Sequence, residues 1–437
     1  MRASLVTRQI WSFIGSQKKR LTNLGVIGGA GIATSLISLV TLALNTRGLD
    51  PADFGALVSI LAYVALCATI CSMETWQSII RLASEDAADI KQICGKTIAL
   101  DIIAATISFV LALSGIFFVS RFTGLPQEHI DLAVIYSLSL LVGFTGTARG
   151  FFRFYDRFDI IAKNSILNSV LTLVASISLW TAGADLKAYV YAFAAAAIAA
   201  KLQLSARLFF ALRTLPSVPG ARKVAFGRIA KMSVSVSFLG TVTASRKNLA
   251  ILLSSWYLGP SSAALVGAAF RCTAPLGLMT EMVKQVLFSD VIKVFARAAI
   301  SKSAFRKVTL TTFGMLAVVL AGAGVFALLS GPIVKLVLSE NYVGAAPVLG
   351  FLLFAEGLYL AGVIFLPIFQ ARSRTSLLTA IHLVSILGFV VAVSFLQESL
   401  DAAGFALIFA VTYLAVYALQ CFIVLAPGGL ARKAVAP

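Results

Sequence analysis

Long apolar runs fill most of the chain, and short polar stretches separate them. A helix that crosses a bilayer needs about 20 mostly apolar residues, because the hydrocarbon core is roughly 30 Å thick. Six runs of about this length occupy the first half of the chain: 24–44, 54–73, 97–119, 132–148, 161–182 and 188–211. Six more occupy the second half: 231–253, 262–282, 308–330, 345–368, 375–396 and 402–424. The pattern predicts an all-α polytopic membrane protein with about twelve transmembrane helices.

The second set of six runs repeats the first. A shift of 209 residues carries Leu49 and Pro51, in the polar turn TRGLDPADFGALV, onto Leu258 and Pro260. The same shift superimposes spans one to three on spans seven to nine, and spans four to six match spans ten to twelve after a slightly larger shift. Because six is an even number, both halves enter the membrane from the same side. We therefore predict two six-helix lobes related as a parallel repeat.

The composition is that of a membrane protein and argues against metal or redox chemistry. Hydrophobic residues make up 59% of the chain and charged residues 12%, with a mean hydropathy of +0.95. A soluble domain has about half apolar and a quarter charged residues. Four of the five cysteines lie inside apolar runs and none forms a CxxC pair, which is typical of small packing residues. We predict no metal and no cofactor.

The net charge of +18 indicates membrane orientation rather than nucleic-acid binding. With the N-terminus inside, four of the 36 Lys and Arg residues fall in outer loops, and three (Arg246, Lys247 and Arg271) lie deep within spans of the second half. The remaining 29 lie in the tails, the inner loops or the inner halves of spans. This bias predicts that both termini are cytoplasmic, and the first apolar run is too long for a cleavable signal peptide. The predicted parts are a cytoplasmic basic tail at 1–23, an N-terminal lobe at 24–212, a cytoplasmic linker at 213–230, a C-terminal lobe at 231–424 and a cytoplasmic tail at 425–437.

The sequence carries no recognisable catalytic motif. It has two histidines, His129 and His382, no HExxH pair and no G-x-x-x-x-G-K-[ST] phosphate loop, so we predict neither an enzyme nor an ATPase. The glycine-rich stretch GVIGGAG lies inside the first span, where the spacing Gly25-x-x-x-Gly29 favours close helix packing over phosphate binding. A membrane-embedded glycosyltransferase or ligase would need an acidic or histidine cluster in an outer loop, and none is evident in the sequence.

Two outer turns resemble those of a known family. The pattern R-x-L-x-P-x-D-F-G, from Arg47 to Gly55, is similar to the first outer turn of bacterial polysaccharide-export flippases. These are the Wzx-type members of the MOP superfamily, which also holds MATE drug exporters and lipid II flippases. The stretch SENYVGAAPVL, from Ser339 to Leu349, resembles the family's Y-x-x-A-x-x-V-L turn, with Leu338 and Ser339 in place of its frequent phenylalanine-glycine. The resemblance implies two six-helix lobes in a V around a central cavity.

The resemblance also implies a function. A family member would move an undecaprenyl-diphosphate-linked oligosaccharide from the cytoplasmic to the periplasmic leaflet of the bacterial inner membrane by alternating access. Its partners would be that lipid-linked oligosaccharide, membrane lipids, a polysaccharide polymerase and glycosyltransferases. The alternative is a MATE-like exporter of small organic molecules coupled to H⁺ or Na⁺. In such an exporter, acids rather than Arg and Lys would dominate the cavity.

Several cations lie inside spans of the second half. Arg246 and Lys247, followed by Asn248, lie in span seven, and Arg271 lies near the middle of span eight. A cation at mid-bilayer costs roughly 3 kcal/mol on insertion scales, so each should face protein or water. We hypothesise that these four residues bind a diphosphate, because a guanidinium donates paired hydrogen bonds to phosphate oxygens. In the structural alternative, the cations pair with acids of other spans: Glu74, Asp101 or Glu356.

Two acids and a proline complete the candidate residues. Glu281 and Lys284 are spaced for a local ion pair, which we favour over an ion-coupling role for Glu281. Glu356 has no nearby cation in its own helix, which makes it a second candidate for coupling to H⁺ or Na⁺. Pro275 removes a backbone hydrogen bond one turn after Arg271, so we predict a kink that acts as a hinge. We expect His382 to be a packing residue.

Overall fold

The computed structural model describes residues 25–26, 28–84, 89–123, 127–216, 224–295 and 302–425. Every regular element in these ranges is an α-helix or a short 3₁₀ helix. Most of the predicted cytoplasmic segments, the tails and the stretch 217–223 of the linker, lie outside the described residues. The domain limits placed there remain predictions.

The helices follow the two predicted sets of six spans. The N-terminal lobe contains α1 (Gly28–Gly48), α2 (Pro51–Ile70), α3 (Thr75–Ala83), α4 (Ile90–Thr123), α5 (Gln127–Ser137), α6 (Thr145–Phe154), α7 (Phe158–Thr181) and α8 (Leu186–Thr214). The C-terminal lobe contains α9 (Phe226–Leu258), α10 (Pro260–Cys272), α11 (Ala274–Phe295), α12 (Lys302–Val337), α13 (Ala345–Ala361), α14 (Phe365–Ala371), α15 (Thr375–Leu396) and α16 (Ala402–Leu425).

Spans two, four, eight and ten each consist of two helices, and these spans are partners in the repeat: α2–α3 with α10–α11, and α5–α6 with α13–α14. Among the described residues, nine helical segments are long and apolar enough to cross a membrane, and two bent pairs raise the number to eleven. The remaining span is α9. It is 33 residues long, but the run Arg246–Asn248 interrupts its apolar sequence.

Two inner ends differ from the sequence prediction. Span two, predicted to end at residue 73, continues as α3 to Ala83, and span four, predicted to end at 148, continues as α6 to Phe154. Both extensions are amphipathic, with polar residues on one side, so an apolar-run criterion ends too early. The extensions lie at the inner end of the bundle, which we define as the end where α1 begins and α16 ends.

The backbone supports the repeat at equivalent turns. Pro51 and Pro260 each occupy the first position of a helix, after Asp50 and Gly259 respectively. Asp50 caps its helix by accepting a hydrogen bond from the Asp53 amide, whereas Gly259 relies on a left-handed backbone with φ of 85°. Proline suits this position because its missing N–H has no partner in the first turn of a helix.

A second pair of equivalent turns lies at the inner end, after spans four and ten. Asp156 and Ser373, 217 positions apart, both have positive φ, at 56° and 53°. In both turns the next residue, Arg157 or Arg374, donates its amide to a carbonyl five positions earlier, at 2.8 Å. This is the same helix-ending motif in both halves, and its spacing is the larger shift that the sequence indicates.

The lobes are packed tightly at the outer end through α2 and α10. A Cβ at Gly55 would lie 1.8 Å from the Pro260 carbonyl oxygen, and a Cβ at Gly267 would lie 2.3 Å from Val58 Cγ1. Val58 and Gly267 are equivalent in the 209-residue repeat, so the pseudo-two-fold axis passes between these two helices. Small residues at such a crossing let the backbones approach closely.

The two outer turns that resemble the family also contact each other. The ring of Phe54 packs edge-on against that of Tyr342, with centroids 5.8 Å apart, and both side chains are fully buried. Ser339 Oγ donates a hydrogen bond to the Thr46 carbonyl at 3.2 Å. Each turn therefore covers the other across the boundary between the lobes.

At the inner end, two unlike walls join the lobes. Between α1 and α11, Gly28 and Gly31 face Met282 and Leu278; here the glycines in contact are these two rather than Gly25 and Gly29, which have open space around them. Between α3 and α9, Ser78 Oγ and Ser233 Oγ lie 2.7 Å apart in a buried hydrogen bond. One wall is apolar and the other is polar, and a cavity separates the lobes between them.

Candidate functional site

A cavity of about 710 Å³ lies between the inner halves of the two lobes. The N-terminal lobe contributes residues of α3 and α6 with the turn before α3, and the C-terminal lobe contributes α9, α11, α13, α14, α15 and α16. This volume is within the range of ligand-binding sites. The charged residues of its lining are Glu74, Arg149 and Arg153 from the N-terminal lobe and Arg246, Glu281 and Lys284 from the C-terminal lobe.

Arg149 and Arg153 form the N-terminal side of the cavity. They lie four positions apart in α6, so both point from one helix face. The Arg153 guanidinium lies over the ring of Trp76, 4.2 Å from its centroid. The sequence prediction missed both residues, because the apolar run of span four ends at Ala148 and cations that follow an apolar run are typical of an inner loop. Their spacing of four, on an amphipathic helix, was the available signal.

Two glycines hold α6 against α3. A Cβ at Gly146 would lie 2.3 Å from Thr75 Oγ1, and a Cβ at Gly150 would lie 2.8 Å from the Trp76 Cα. The spacing Gly146-x-x-x-Gly150 is the one that allows close approach of membrane helices. The close contact places Arg153 against Trp76 and turns both arginines toward the cavity.

Arg246 forms the C-terminal side. It is 5% exposed, and its guanidinium lies between the rings of Tyr359 and Tyr413, 5.0 and 4.5 Å from their centroids. Nε donates to the Thr243 carbonyl at 3.3 Å, whereas the buried Nη1 makes no hydrogen bond with any described group. Aromatic faces attract a guanidinium and fix its orientation. The two tyrosines therefore order the Arg246 side chain, while its Nη1 remains available to donate a hydrogen bond at the cavity.

The two cavity acids already have partners. Glu281 pairs with Lys284 at 3.3 Å, which agrees with the local ion pair favoured from the sequence. Glu74, in a left-handed conformation with φ of 41°, accepts hydrogen bonds from Trp76 Nε1 and Gln77. No described carboxylate lies within 4 Å of any of the three cavity arginines. With Lys284 counted, the lining has four cations and two acids, so the cavity has an excess of positive charge.

The other predicted cations lie outside the cavity. Lys247, next to Arg246, points to another face of α9 and forms an ion pair with the buried Glu356 at 3.0 Å. Arg271, in the last turn of α10, lies over the ring of Phe54 at 5.9 Å, and Asn248 is half-buried. The structure thus brings only Arg246 of the four predicted substrate-binding residues to the cavity. For Lys247 it shows the pairing that the structural alternative describes.

Pro275 lies at a break in span eight. The chain bends by 43° between α10 and α11, with Thr273 between them and Pro275 at the second position of α11. A proline is tolerated there because an amide in the first turn has no helical partner. The predicted kink is present beside Arg271, and its role as a hinge remains a prediction.

His382 lines the cavity as a buried residue, and its Nε2 lies 3.5 Å from Gln420 Nε2. No group of three or more His, Cys, Asp or Glu side chains arranged to hold a metal occurs in the part of the chain that the structure describes.

Comparison with known proteins decides the family. The sequence profile of the family described as polysaccharide biosynthesis protein matches residues 21–288. The chain belongs to this family. It is also 24% identical over 175 residues to the inner membrane protein YghQ of Escherichia coli (strain K12); the match spans 39% of this chain and about half, 49%, of that relative.

Solved structures show that this polysaccharide biosynthesis family member has the fold of the MOP superfamily. The lipid II flippase MurJ in an inward closed conformation is similar with a TM-score of 0.68 and 13% identity, over 90% of this chain and 86% of that one. A multidrug resistance MATE family transporter in an inward-facing conformation is similar with a TM-score of 0.63 and 16% identity, over 95% and 99%. The fold and family expected from the two outer turns are confirmed, and the chain is a multi-pass membrane protein.

Proposed function

We propose that this protein moves an undecaprenyl-diphosphate-linked oligosaccharide from the cytoplasmic to the periplasmic leaflet of the bacterial inner membrane. The observation that carries the proposal is the set of three arginines at the cavity, Arg149, Arg153 and Arg246, none of which forms an ion pair with a described carboxylate. Such a site stabilises an anionic group that enters from the inner end. A diphosphate supplies the charge that the chain lacks.

Arginine is chemically suited to this ligand. Its planar guanidinium donates paired hydrogen bonds to phosphate oxygens, and it stays charged under physiological conditions. Arg246 offers Nη1 as a free donor, while Tyr359 and Tyr413 restrict its motion. Binding then costs little side-chain entropy, because the cation is already ordered before the ligand arrives.

The remainder of the cavity suits a saccharide. Trp76, Tyr359 and Tyr413 present aromatic rings, and Gln77 and Gln420 present amides that both donate and accept hydrogen bonds. Ligand sites commonly combine such apolar faces with a few convergent polar groups. Sugar rings, which have apolar C–H faces and polar hydroxyl edges, match this lining.

A second candidate function is a MATE-like exporter of small organic molecules coupled to H⁺ or Na⁺. It has the same fold, so only the site discriminates between them. An organic cation would be favoured by an excess of acids in the cavity, whereas the lining has four cations, Arg149, Arg153, Arg246 and Lys284, against the two acids Glu74 and Glu281. The balance of charge favours the flippase.

Alternating access connects the cavity with the predicted residues outside it. Lys247, Asn248 and Arg271 lie nearer the outer end than the cavity, so opening that end would bring them into the path of the ligand. Glu356, now paired with Lys247, would then exchange its partner and bind a coupling H⁺ or Na⁺. The proposed direction of transport uses the predicted orientation, in which the cation bias favours a cytoplasmic inner end and cytoplasmic termini. The expected partners are the polymerase and glycosyltransferases of the same polysaccharide.

The experiment replaces the three arginines with glutamine, singly and together, and measures surface polysaccharide together with protein abundance in the membrane. Each loss should reduce export roughly tenfold, which is the usual effect of removing one charged hydrogen bond. Lysine at position 246 should rescue only in part, and glutamate should be worst. Arg207→Gln, an exposed arginine of α8 outside the cavity, is the matched control. Normal export by the triple variant at normal abundance would contradict the proposal.

A further inference from the structure

Span four is broken where it passes through the N-terminal lobe. After α5, the 3₁₀ helix Leu138–Leu140 is followed by the non-helical residues 141–144, and then by α6. Such a break leaves carbonyl groups without partners at the end of the first piece and amides without partners at the start of the second. In a membrane these groups must be satisfied by neighbouring side chains or water, because lipid cannot satisfy them.

A cation from span six satisfies the end of the first piece. Lys201, in α8, donates a hydrogen bond from Nζ to the Ser139 carbonyl. Ser205, one turn later in α8, accepts a hydrogen bond from the Phe144 amide at 3.2 Å. Gly143 fits between them with φ of +87°, where a Cβ would lie 3.1 Å from that of Lys201, so this position requires glycine.

An anion from span three satisfies the start of the second piece. Asp101 Oδ2, in α4, accepts a hydrogen bond from the Thr147 amide in the first turn of α6 at 2.7 Å. Its Oδ1 accepts one from Thr75 Oγ1, the first residue of α3, also at 2.7 Å. One carboxylate therefore holds the beginnings of both helices, and no described cation pairs with it.

The two charges match the two helix ends. The C-terminal end of a helix carries partial negative charge and the N-terminal end partial positive charge, so each end is stabilised by the opposite ion. Lys201 lies at the C-terminal end of the first piece, and Asp101 lies at the N-terminal end of the second piece. A charged side chain inside a span is costly to insert. The break in span four gives both Lys201 and Asp101 a backbone hydrogen-bond partner.

We propose that Asp101 and Lys201 are positioning residues that fix the break of span four and thereby direct Arg149 and Arg153 into the cavity. Asp101 holds α6 and α3 together, and these helices carry Arg153 and its stacking partner Trp76. The consequence for export rests on the proposed function. The positioning itself does not, so it can be tested separately.

The test uses a cysteine reporter in a chain whose five native cysteines are replaced. Thr147→Cys lies at a fully buried position beside Asp101, and Ser254→Cys lies at a fully buried position of the C-terminal lobe. Asp101→Asn cannot accept hydrogen bonds at both side-chain positions, and Lys201→Met keeps the length of the chain but lacks the charge. Each should raise the labelling rate of the cysteine at 147 by a thiol reagent roughly tenfold, as loss of a helix cap does, while the cysteine at 254 stays protected.

Asp159→Asn is the matched control, because Asp159 pairs with Arg157 in an exposed turn outside the break. Continued protection of the cysteine at 147 in both variants would overturn the proposal, as would equal labelling at 254, which would indicate general unfolding. Exchanging the charges, with Asp101→Lys and Lys201→Asp together, should not restore protection, because each charge serves a helix end. Restoration would show a direct ion pair and would also overturn the proposal.

A spectroscopic readout distinguishes positioning from folding. With Trp11, Trp180 and Trp256 replaced by phenylalanine, the remaining emission comes from Trp76, over whose ring Arg153 lies. Asp101→Asn should shift this emission in the same direction as Arg153→Gln. An unchanged spectrum in folded Asp101→Asn protein would contradict the positioning role. If the reporter and the spectrum respond but polysaccharide export is unaffected, the proposed function fails and the positioning stands.

Discussion

The two ends of the interface between the lobes differ in the residues that form them. At the outer end, α2 and α10 meet through Gly55 and Gly267, and the packing leaves no room for a Cβ. At the inner end, the lobes are separated by a cavity whose surface carries Arg149, Arg153 and Arg246. Small apolar residues make a contact that closes fully, whereas unpaired cations keep surfaces apart and attract a ligand.

The comparison indicates which conformation the packing favours. Close packing at the outer end is favourable as long as nothing occupies it, since dispersion contacts add up over a well-fitted surface. The inner end cannot close in the same way, because bringing three arginines together without an anion would be repulsive. A bound diphosphate would remove that repulsion. Substrate binding is therefore expected to permit the inner end to close.

The largest effect is expected from Gly55→Ala, which disrupts the close packing that distinguishes the outer end of the lobe interface from the inner end. The new Cβ would lie 1.8 Å from the Pro260 carbonyl, so α2 and α10 must separate. Such overpacking typically costs 1–3 kcal/mol, or about tenfold or more in the closed population. Export should fall strongly, and a cysteine at the buried Ser59, one turn along α2, should become reactive to an impermeant reagent added outside intact cells.

Gly29→Ala is the matched control, since position 29 has open space around it and should tolerate the methyl group. A cysteine at Ala182, in an exposed outer turn, should react in every variant and reports the orientation of the protein. If the cysteine at 59 stays unreactive in Gly55→Ala protein, the outer contact is not the closure that we describe.

A moderate effect is expected at the boundary between the ends, where Lys247 pairs with Glu356. Glu356→Gln leaves the Lys247 ammonium without its carboxylate, and because Lys247 is partly exposed we expect a loss of only about 1 kcal/mol. Thermal unfolding in detergent should show a lower midpoint, and the double variant with Lys247→Met should recover it. Unchanged stability with loss of the H⁺ or Na⁺ dependence of export would instead identify Glu356 as the coupling residue.

The smallest effect is expected from Pro275→Ala. The proline lies in the first turn of α11, so alanine restores an N–H and lets the helix continue toward α10 across the 43° bend. The bundle should fold normally, but exchange between inward and outward shapes should slow and export should fall a few-fold. Export at the normal rate would exclude Pro275 as the hinge, even if packing preserves the bend.

The sequence predicts the architecture well because apolar length and the repeated proline are properties of single residues and their order. It locates the cavity less well. Arg149 and Arg153 follow directly after an apolar run, so by hydropathy alone they resemble an inner loop, and only the contact of α6 with α3 shows otherwise. Arg246 and Lys247 are adjacent in sequence yet lie on different helix faces, which decides that one lines the cavity and the other pairs with Glu356.

The central claim is that the cavity cations bind a diphosphate, and the most direct measurement is binding to purified protein in lipid nanodiscs. Undecaprenyl diphosphate is compared with undecaprenol, which has the same chain without the charge, by native mass spectrometry. The wild-type protein should prefer the diphosphate by at least about tenfold, and Arg207→Gln should keep that preference. The triple variant Arg149→Gln, Arg153→Gln, Arg246→Gln should lose it. Equal preference for the diphosphate in the wild-type and triple-variant proteins would contradict the account.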